Sequence, residues 1–449
     1  MWMNSFSRIA LPALQRSIST KALWAMRSCR TPGEAAGPLR ICHPSMQIRG
    51  QKTMESVSPP LSHHLVRHAQ ALHEERMIEV EWGDGSCSFY PFTWLRDNCQ
   101  CPKCFLDSAQ QRKLLMVDVD VNIGVDTVEV TNDNKVSILW PDQHTSVFDP
   151  VWLKKRCFSP AARQTLQEEL FLKEHYYWDS KLKIPTANYE EVIHDDKAAL
   201  DWLIALRRVG LVHLKGAPKE RGPVTRLSER IGYLRMTYYG HTWDIMDKYM
   251  AVNVAYTADK LSVHTDYPGV RYTPGLQFLH CIQQAAEGGE SEMVDGFHAA
   301  MQLQREDPEA FKTLTTLRVD FTDRGTDYCD FMLQSKKLTI QLNEEGQVRM
   351  INCNNATRDS VLDLPLHQVQ PFYRAYKAFM DILNRPENLI TFKLEPGEIV
   401  TFDNWRLLHG RKSYINKPDM IRHLEGAYLD WDEVISRVRI LRCAVQQNA

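Results

Sequence analysis

The sequence predicts a mainly β protein of the α+β class. A small β domain at residues 74–175 precedes a double-sheet jelly roll with flanking helices at residues 176–449. Two observations favour this architecture. Before residue 150, apolar residues alternate with polar ones, as in antiparallel strands. After residue 188, short apolar runs recur at fairly even spacing with turn residues between them, which is typical of a jelly roll. A length of 449 residues suits two or three domains.

The composition is that of an ordinary globular protein, with 43% hydrophobic and 24% charged residues. The formal net charge is −2, which gives no electrostatic reason to expect a nucleic acid or an anionic membrane as partner. No uninterrupted apolar run is long enough to cross a bilayer. We therefore expect neither a nucleic-acid nor a membrane partner.

Residues 1–53 differ from the rest of the chain. They contain eight lysines and arginines, many serines and one acidic residue, Glu34. This composition resembles a mitochondrial transit peptide. The alternative is a disordered or non-native extension, with translation starting at Met46 or Met54. In both cases the segment is left out of the fold prediction.

In the small domain, the alternating apolar residues predict a compact antiparallel sheet followed by two helices. The predicted strands contain Ile78 to Trp82, Phe89 to Pro91, Val117 to Val121, Val128 to Val130, and Val136 to Trp140. One helix is predicted near Pro150, and a second starts at the cap pair Ser159-Pro160 and runs to about His175.

A cysteine cluster lies between these strands. Cys99, Cys101 and Cys104 could supply three corners of a tetrahedral zinc site, and His144, in a predicted turn, is the best candidate for the fourth. Such a closed site would be structural and could contribute on the order of 10 kcal/mol to folding. The alternative is a set of reduced surface cysteines without metal.

The large domain begins after a predicted linker at residues 176–188. The pattern predicts helices up to Gly210, from Pro223 to about Ile231, and at residues 297–305, 308–314 and 369–383. The predicted strands lie at residues 211–214, 252–256, 275–280, 338–342, 348–351, 389–393, 399–402 and 426–429.

The candidate catalytic residues are His264, Asp266 and His409. On an extended strand, residues i and i+2 point to the same face, so His264 and Asp266 could bind one metal ion. Two histidines and one carboxylate with an open face form the iron(II) site used to activate oxygen. Alone, the His-x-Asp pair is weak, because chance produces it often. Arg422 could bind the distal carboxylate of a dicarboxylate cosubstrate, and Arg411 is a rival for that role.

Seven segments together resemble iron(II)- and 2-oxoglutarate-dependent oxygenases and, among them, the gamma-butyrobetaine dioxygenases. The segments are Trp94–Cys99, Tyr239–Trp243, Asn253–Thr257, His264–Pro268, Asn352–Asp359, Phe402–Arg411 and Arg422–Tyr428. The resemblance covers residues 78–441 and implies a double-stranded β-helix with a small zinc-binding N-terminal domain, usually as a homodimer.

Site residues are carried over position by position. The resemblance implies that His264, Asp266 and His409 bind iron(II), and it favours Arg422 over Arg411 for 2-oxoglutarate, with Leu279 also at the cosubstrate. It implies structural zinc at Cys99, Cys101, Cys104 and His144. It implies an aromatic cage for a trimethylammonium group at Tyr239, Trp243, Tyr256 and Tyr428, and further substrate contacts at Asn253, Asn354 and Tyr267.

The implied activity is hydroxylation of gamma-butyrobetaine at C3 to L-carnitine, with 2-oxoglutarate and oxygen consumed, succinate and carbon dioxide released, and ascorbate as supporting reductant. One alternative is a trimethyllysine dioxygenase, which fits the N-terminal segment. A more distant one is a non-catalytic zinc-binding jelly-roll protein. The family is cytoplasmic, whereas residues 1–53 would favour mitochondria, so both locations stay open.

Overall fold

The structure, a computed structural model, describes residues 64–171 and 175–447. They divide into two compact units, within Met1–Glu169 and Leu170–Ala449. The basic segment at residues 1–53 lies outside the described residues. Among the helices that are described, none is both long and apolar enough to cross a membrane.

The first unit contains two three-stranded antiparallel sheets, a two-stranded ladder and three helices. In chain order the elements are β1 (Val66–Leu72), β2 (Met77–Trp82), β3 (Cys87–Pro91), α1 (Phe92–Asp97), β4 (Phe105–Leu106), β5 (Gln111–Arg112), β6 (Thr127–Val130), β7 (Val136–Leu139), β8 (Thr145–Phe148), α2 (Pro150–Lys155) and α3 (Pro160–Phe171). The sheets have the orders β1-β2-β3 and β6-β7-β8.

Alternation along β2 builds the core of this unit. Ile78, Val80 and Trp82 are fully buried, while the residues between them are partly exposed. The Trp82 indole donates a hydrogen bond of 2.8 Å to the Ser88 hydroxyl, so its polar group is satisfied inside the core. Each such apolar side chain contributes about 1.5–3 kcal/mol by its burial.

The strand predicted from Val117 to Val121 is wrong. Residues 116–118 form a 3-10 helix, and Val117 is 89% exposed. The Asp120 carboxylate accepts a hydrogen bond from the Asn122 backbone N–H. Aspartates that bond the local backbone compete with a sheet ladder, so the alternation here does not produce a strand. Strand β1, which begins before residue 74, was not predicted.

The described part of the second unit contains sixteen β segments and seven α-helices after residue 185. In chain order they are β9 (Thr186–Asn188), α4 (Tyr189–His194), α5 (Asp196–Val209), β10 (Leu211–Lys215), α6 (Pro223–Glu229), β11 (Thr242–Ile245), β12 (Leu261–His264), β13 (Leu276–Gln283), β14 (Glu287–Gly288), β15 (Ser291–Asp295), α7 (Gly296–Glu306), α8 (Pro308–Thr316), β16 (Arg318–Thr326), β17 (Asp330–Leu338), β18 (Ile340–Leu342), β19 (Val348–Ile351), α9 (Leu366–Leu383), β20 (Leu389–Phe392), β21 (Ile399–Asp403), β22 (Leu407–Arg411), β23 (Tyr414–Ile415), β24 (His423–Leu429) and α10 (Trp431–Gln447).

Two larger sheets carry several of the candidate site residues, among them His264, His409 and Tyr428. One has six strands in the order β11-β24-β13-β21-β10-β9, and the other has four in the order β12-β22-β15-β20. Apolar side chains of both sheets meet in one core, including Leu279 of β13, Phe402 of β21 and Met293 of β15. Helices α5, α6 and α10 pack on the six-stranded sheet, and α7, α8 and α9 pack beside β15 and β22. The sheets are therefore held rigidly from both sides.

Helix α5 shows how the sequence defines one of these supports. The Asp195 carboxylate accepts a hydrogen bond from the Ala198 N–H and caps the start, and Gly210, at φ +82°, ends the helix. Trp202 and Leu206 lie on one face and are buried against the sheet. The Trp202 indole donates a 3.1 Å hydrogen bond to the Thr401 hydroxyl of β21.

Three features of this unit differ from the prediction. Residues 252–256 contain a 3-10 helix, Val254–Tyr256, where a strand was predicted, because the Asn253 side chain caps it by accepting from the Ala255 N–H. The predicted linker is packed: Trp178 is 3% exposed and its indole donates to the Val209 carbonyl at 2.9 Å. The long hairpin β16–β17 and helix α10 were not predicted.

Candidate active site

The His264, Asp266 and His409 side chains converge at the end of β12. His264 is the last residue of this strand and is paired in register with His409 of β22, so the two rings lie side by side with centroids 4.3 Å apart. Asp266 follows the strand. Its Oδ1 lies 3.2 Å from Nε2 of His264, and its Oδ2 lies 3.8 Å from Nε2 of His409. Neighbouring corners of an octahedron with bonds near 2.1 Å are about 3 Å apart, so the three groups fit one metal ion.

His409 and Asp266 are in the form that binds a metal, whereas Asp266 raises the pKa of His264 against the effect of burial. The Nδ1 atom of His264 lies 2.8 Å from the Ser262 carbonyl oxygen, to which it donates, which leaves Nε2 as a ligand. Burial lowers the pKa of His409 to about 3, so its ring is neutral. Burial alone would raise the pKa of Asp266, but the two imidazoles keep it below its usual range, so the carboxylate is ionised.

The Asn404 side chain forms hydrogen bonds with both the N–H and the carbonyl of Asp266. The Asn404 side-chain oxygen accepts from the Asp266 N–H at 2.8 Å, and the Asn404 amide donates to the Asp266 carbonyl at 3.1 Å. The next residue, Tyr267, has φ +60°, a conformation that costs a non-glycine residue on the order of 1–3 kcal/mol. Asn404 thus holds a strained turn that aims Asp266 between the histidines.

These three groups open into a cavity of about 220 Å³. All twelve residues proposed for iron, cosubstrate or substrate line it: His264, Asp266, His409, Arg422, Leu279, Tyr239, Trp243, Tyr256, Tyr428, Asn253, Asn354 and Tyr267. Long stretches of chain separate these residues, so their assembly at one cavity is a property of the fold. Their individual roles stay predictions.

Arg422 and Arg411 are both buried at this cavity, but they are bonded differently. Arg411 donates to the carbonyls of Ala255, Thr257 and Asp259, so its guanidinium supports the loop that carries Tyr256. In the part of the chain that is described, Nε and one terminal nitrogen of Arg422 have no hydrogen-bond partner. Burial lowers the pKa of Arg422 to about 10. A buried, unpartnered guanidinium fits a carboxylate ligand.

The four predicted cage aromatics form two walls. The rings of Trp243 and Tyr428 stack at 4.4 Å, and those of Tyr239 and Tyr256 meet at 90° with centroids 6.3 Å apart. The Tyr239 centroid lies 6.4 Å from that of Trp243, which brings the two walls together. The ring of Tyr267 lies 5.3 Å from that of Tyr428. Ring faces in such an arrangement suit a group that has positive charge and no hydrogen to donate.

Strand register explains how Trp243 reaches this position. Trp243 of β11 is paired with Gly426 of β24, two residues before Tyr428. A Cβ at Gly426 would lie 2.5 Å from the Trp243 ring, so only glycine lets the indole lie flat across β24.

The two asparagines also face the cavity, and both have internal partners. The Asn253 amide donates to the Tyr239 hydroxyl at 3.0 Å. The Asn354 amide donates to the Thr265 carbonyl at 3.2 Å, and its oxygen accepts from Ala356 N–H at 3.1 Å. Each NH₂ group carries a second hydrogen, which a substrate carboxylate could accept.

The cysteine cluster assembles in the first unit. The Nε2 atom of His144 lies 3.2, 3.7 and 3.7 Å from the sulfurs of Cys99, Cys101 and Cys104. A tetrahedral zinc with ordinary bond lengths separates sulfur from nitrogen by about 3.5 Å, so these residues fit zinc. The Asp142 carboxylate accepts from the His144 N–H at 3.0 Å and orients the turn.

The sequence prediction missed several residues that line the cavity. They include Gln277, Ser291, Asp323, Leu333 and Thr357. Gln277 and Ser291 lie on the two larger sheets, and Asp323 and Leu333 lie on the hairpin β16–β17. Phe331 and Leu333, two residues apart and both buried on β17, could have indicated this strand, but nothing in the sequence shows that the hairpin covers the cavity.

Comparison with known proteins agrees with the geometry. Residues 175–428 match the family described as "Taurine catabolism dioxygenase TauD, TfdA family", and residues 69–154 match "Gamma-butyrobetaine hydroxylase-like, N-terminal". Gamma-butyrobetaine dioxygenase of Homo sapiens is 52% identical over 383 residues, which cover 85% of this chain and 99% of that protein. Gamma-butyrobetaine dioxygenase of a Pseudomonas species is 35% identical over 368 residues, which cover 81% of this chain and 94% of that protein.

Trimethyllysine dioxygenases are more distant. The one from Meyerozyma guilliermondii is 28% identical over 384 residues, which cover 82% of this chain and 94% of that protein. The chain therefore belongs to the TauD, TfdA family of dioxygenases and, within it, to the gamma-butyrobetaine dioxygenases.

Proposed function

We propose that this chain hydroxylates gamma-butyrobetaine at C3 to L-carnitine, with 2-oxoglutarate and oxygen as cosubstrates and succinate and carbon dioxide as coproducts. One observation carries the proposal. A single cavity holds a His-Asp-His triad, a set of aromatic faces and a buried arginine, two of whose side-chain nitrogens have no hydrogen-bond partner among the described residues. The 52% identical human protein is named for the same substrate.

His264, Asp266 and His409 would hold iron(II), and Arg422 would bind the far carboxylate of 2-oxoglutarate, with Leu279 beside the cosubstrate. When bound, iron(II) and 2-oxoglutarate supply the oxidation that replaces a C3 hydrogen by hydroxyl. The chain itself would supply the three ligands and a cavity lined by both polar and apolar side chains. The Tyr428 hydroxyl donates to Asp266 at 2.6 Å and helps keep the triad aligned. Ascorbate would serve as supporting reductant.

Substrate position would decide which carbon reacts. The cage of Tyr239, Trp243, Tyr256 and Tyr428, together with Tyr267, would hold the trimethylammonium end, each ring face being worth about 0.5–2 kcal/mol. The free amide hydrogens of Asn253 and Asn354 would bind the carboxylate end. Contacts at both ends would leave the short substrate little freedom to move along the cavity, so one of its carbon atoms would face the metal.

The proposal also covers the fold, the zinc site, the oligomeric state and the location of the protein in the cell. The six- and four-stranded sheets would be the two walls of a double-stranded β-helix, and the Cys3His cluster would bind structural zinc. We infer a homodimer by likeness to the family. We also infer action in the cytoplasm, or in mitochondria if residues 1–53 act as a transit peptide. Fusing those residues to a fluorescent protein would test the location.

The decisive experiment offers gamma-butyrobetaine and trimethyllysine separately to the protein with iron(II), ascorbate and 2-oxoglutarate. We expect succinate release and a gain of one oxygen atom only with gamma-butyrobetaine. His264→Ala should abolish both signals, whereas the matched control His367→Ala, an exposed histidine on α9, should retain them. Oxygen gain on trimethyllysine alone would reassign the substrate, and full activity of His264→Ala would refute the site.

A further inference from the structure

The three tyrosines of the cage share one feature: each donates its hydroxyl to an aspartate. The pairs are Tyr428 with Asp266 at 2.6 Å, Tyr239 with Asp323 at 3.2 Å, and Tyr256 with Asp327 at 3.3 Å. Asp266 is one of the three candidate metal ligands. The other two carboxylates, Asp323 and Asp327, come from the hairpin region 318–338, and their hydrogen bonds to the tyrosines are longer. Neither has a role in the proposed chemistry.

The two hairpin carboxylates differ in their charge balance. Asp327 lies 3.8 Å from the Lys248 ammonium, which also sits 3.8 Å from the centre of the Tyr256 ring, so a lysine offsets its charge. Among the described residues, Asp323 has no ion pair with a lysine or arginine, and only Asp323 of the two lines the cavity. A carboxyl group without a cationic ion-pair partner among the described residues therefore faces the aromatic cage, and burial raises its pKa above the usual value.

The hydrogen bonds around Tyr239 have a defined direction. Its oxygen accepts from the Asn253 amide at 3.0 Å, which leaves its own hydrogen for Asp323. A phenol that donates to a carboxylate gains electron density on its ring, and a more negative ring face attracts a cation more strongly. Asp323 also attracts the cation directly, because its carboxylate is only partly exposed and its charge is screened less than in bulk water.

We propose that Asp323 is a specificity-determining residue, the counter-charge that selects a cationic over a neutral end group in the substrate. This inference rests on the proposed function, because it takes the cage to be the site of the trimethylammonium group. A quaternary ammonium has no N–H and therefore cannot donate a hydrogen bond. A protein can recognise it only through charge and through the faces of aromatic rings.

The test compares two ligands of the same shape. Full-length protein loaded with iron(II) and 2-oxoglutarate is titrated, without oxygen, with gamma-butyrobetaine and with its carbon isostere, in which a neutral tert-butyl group replaces trimethylammonium. Isothermal titration calorimetry gives both dissociation constants for the wild type and for Asp323→Asn. We expect the variant to bind gamma-butyrobetaine about tenfold more weakly and the isostere with less than about a twofold change.

Further variants separate charge from structure. Asp323→Glu should restore much of the preference for the cation. Asp330→Asn removes an exposed carboxylate of the same hairpin and should leave both dissociation constants unchanged. Equal weakening of both ligands by Asp323→Asn would overturn the proposal, as would unchanged cation binding. Failure of the wild type to oxidise gamma-butyrobetaine would instead refute the proposed function, which is measured separately by oxygen incorporation.

Discussion

Lys337 of β17 is a buried lysine whose ammonium contacts only a hydroxyl. It is 5% exposed and donates to the Thr273 side chain. Burial, with a further contribution from Arg235, lowers the pKa of Lys337 from 10.5 to about 8. At neutral pH this lysine is still mostly charged, so the fold bears the cost of an ammonium without a counter-ion. We predict that Lys337→Met stabilises the protein.

The size of the effect follows from the pKa. Each tenfold change in proton affinity is worth about 1.4 kcal/mol, so the lowered pKa corresponds to about 3 kcal/mol of destabilisation below pH 8. Between pH 8 and 10.5 the unfolded chain binds more protons than the folded one, so wild-type stability rises with pH in this window. The advantage of Lys337→Met should therefore be largest near neutral pH and vanish above about pH 10.5.

Calorimetric melting at several pH values would measure this advantage. We expect the variant to melt roughly 5 °C higher near pH 7, by the usual relation between free energy and melting temperature, and the difference to close on raising the pH. Lys336→Met is the matched control, because the neighbouring Lys336 is exposed and paired with Asp363. A pH-independent difference, or a less stable Lys337→Met, would refute the reasoning.

Three other predictions concern the buried charges and the metal cluster. Arg406→Met should destabilise the protein by about 3–5 kcal/mol, because it leaves the buried Asp295 carboxylate without its ion-pair partner. The loss would be measured as a lower melting temperature. Cys104→Ser should remove bound zinc, which native mass spectrometry would count, and retention of one zinc ion would contradict the Cys3His assignment. Arg422→Met should raise the KM for 2-oxoglutarate at least about tenfold while that for gamma-butyrobetaine changes little, and the reverse pattern would exclude this arginine.

Strands with a buried face were predicted well because burial imposes a clear pattern. β2, β7 and β21 all follow their apolar residues. Both wrong strands, at residues 117–121 and 252–256, contain an aspartate or asparagine that bonds the local backbone, at Asp120 and Asn253. Such a side chain offers the backbone a partner that periodicity does not reveal. Apolar alternation predicts a strand only where no local partner competes.

The site divides into parts that local sequence can and cannot predict. His264 and Asp266 are two residues apart, so the sequence could pair them, but Asp266 follows the end of β12 and is held in place by Asn404 from a distant segment. The cage aromatics come from distant segments, and only resemblance to a family could select them from 43 aromatic residues (16 Phe, 11 Trp, 16 Tyr). Asp323 was missed for a different reason, since its relation to Tyr239 depends on a hairpin that folds back over the cavity.

The positions of the candidate metal ligands and of the cage residues indicate which parts of the fold could vary with the substrate. Two of the candidate metal ligands, His264 and His409, lie on paired strands, and the strand of His409 has a neighbouring strand on each side. Tyr256 and Asp323 lie outside the two larger sheets, on a loop that is supported by Arg411 and on the two-stranded hairpin β16–β17. Moving a loop costs far less than moving a central strand, because fewer backbone hydrogen bonds break. We therefore expect substitutions on the loop and the hairpin to change substrate binding with less loss of stability than substitutions on β12 and β22.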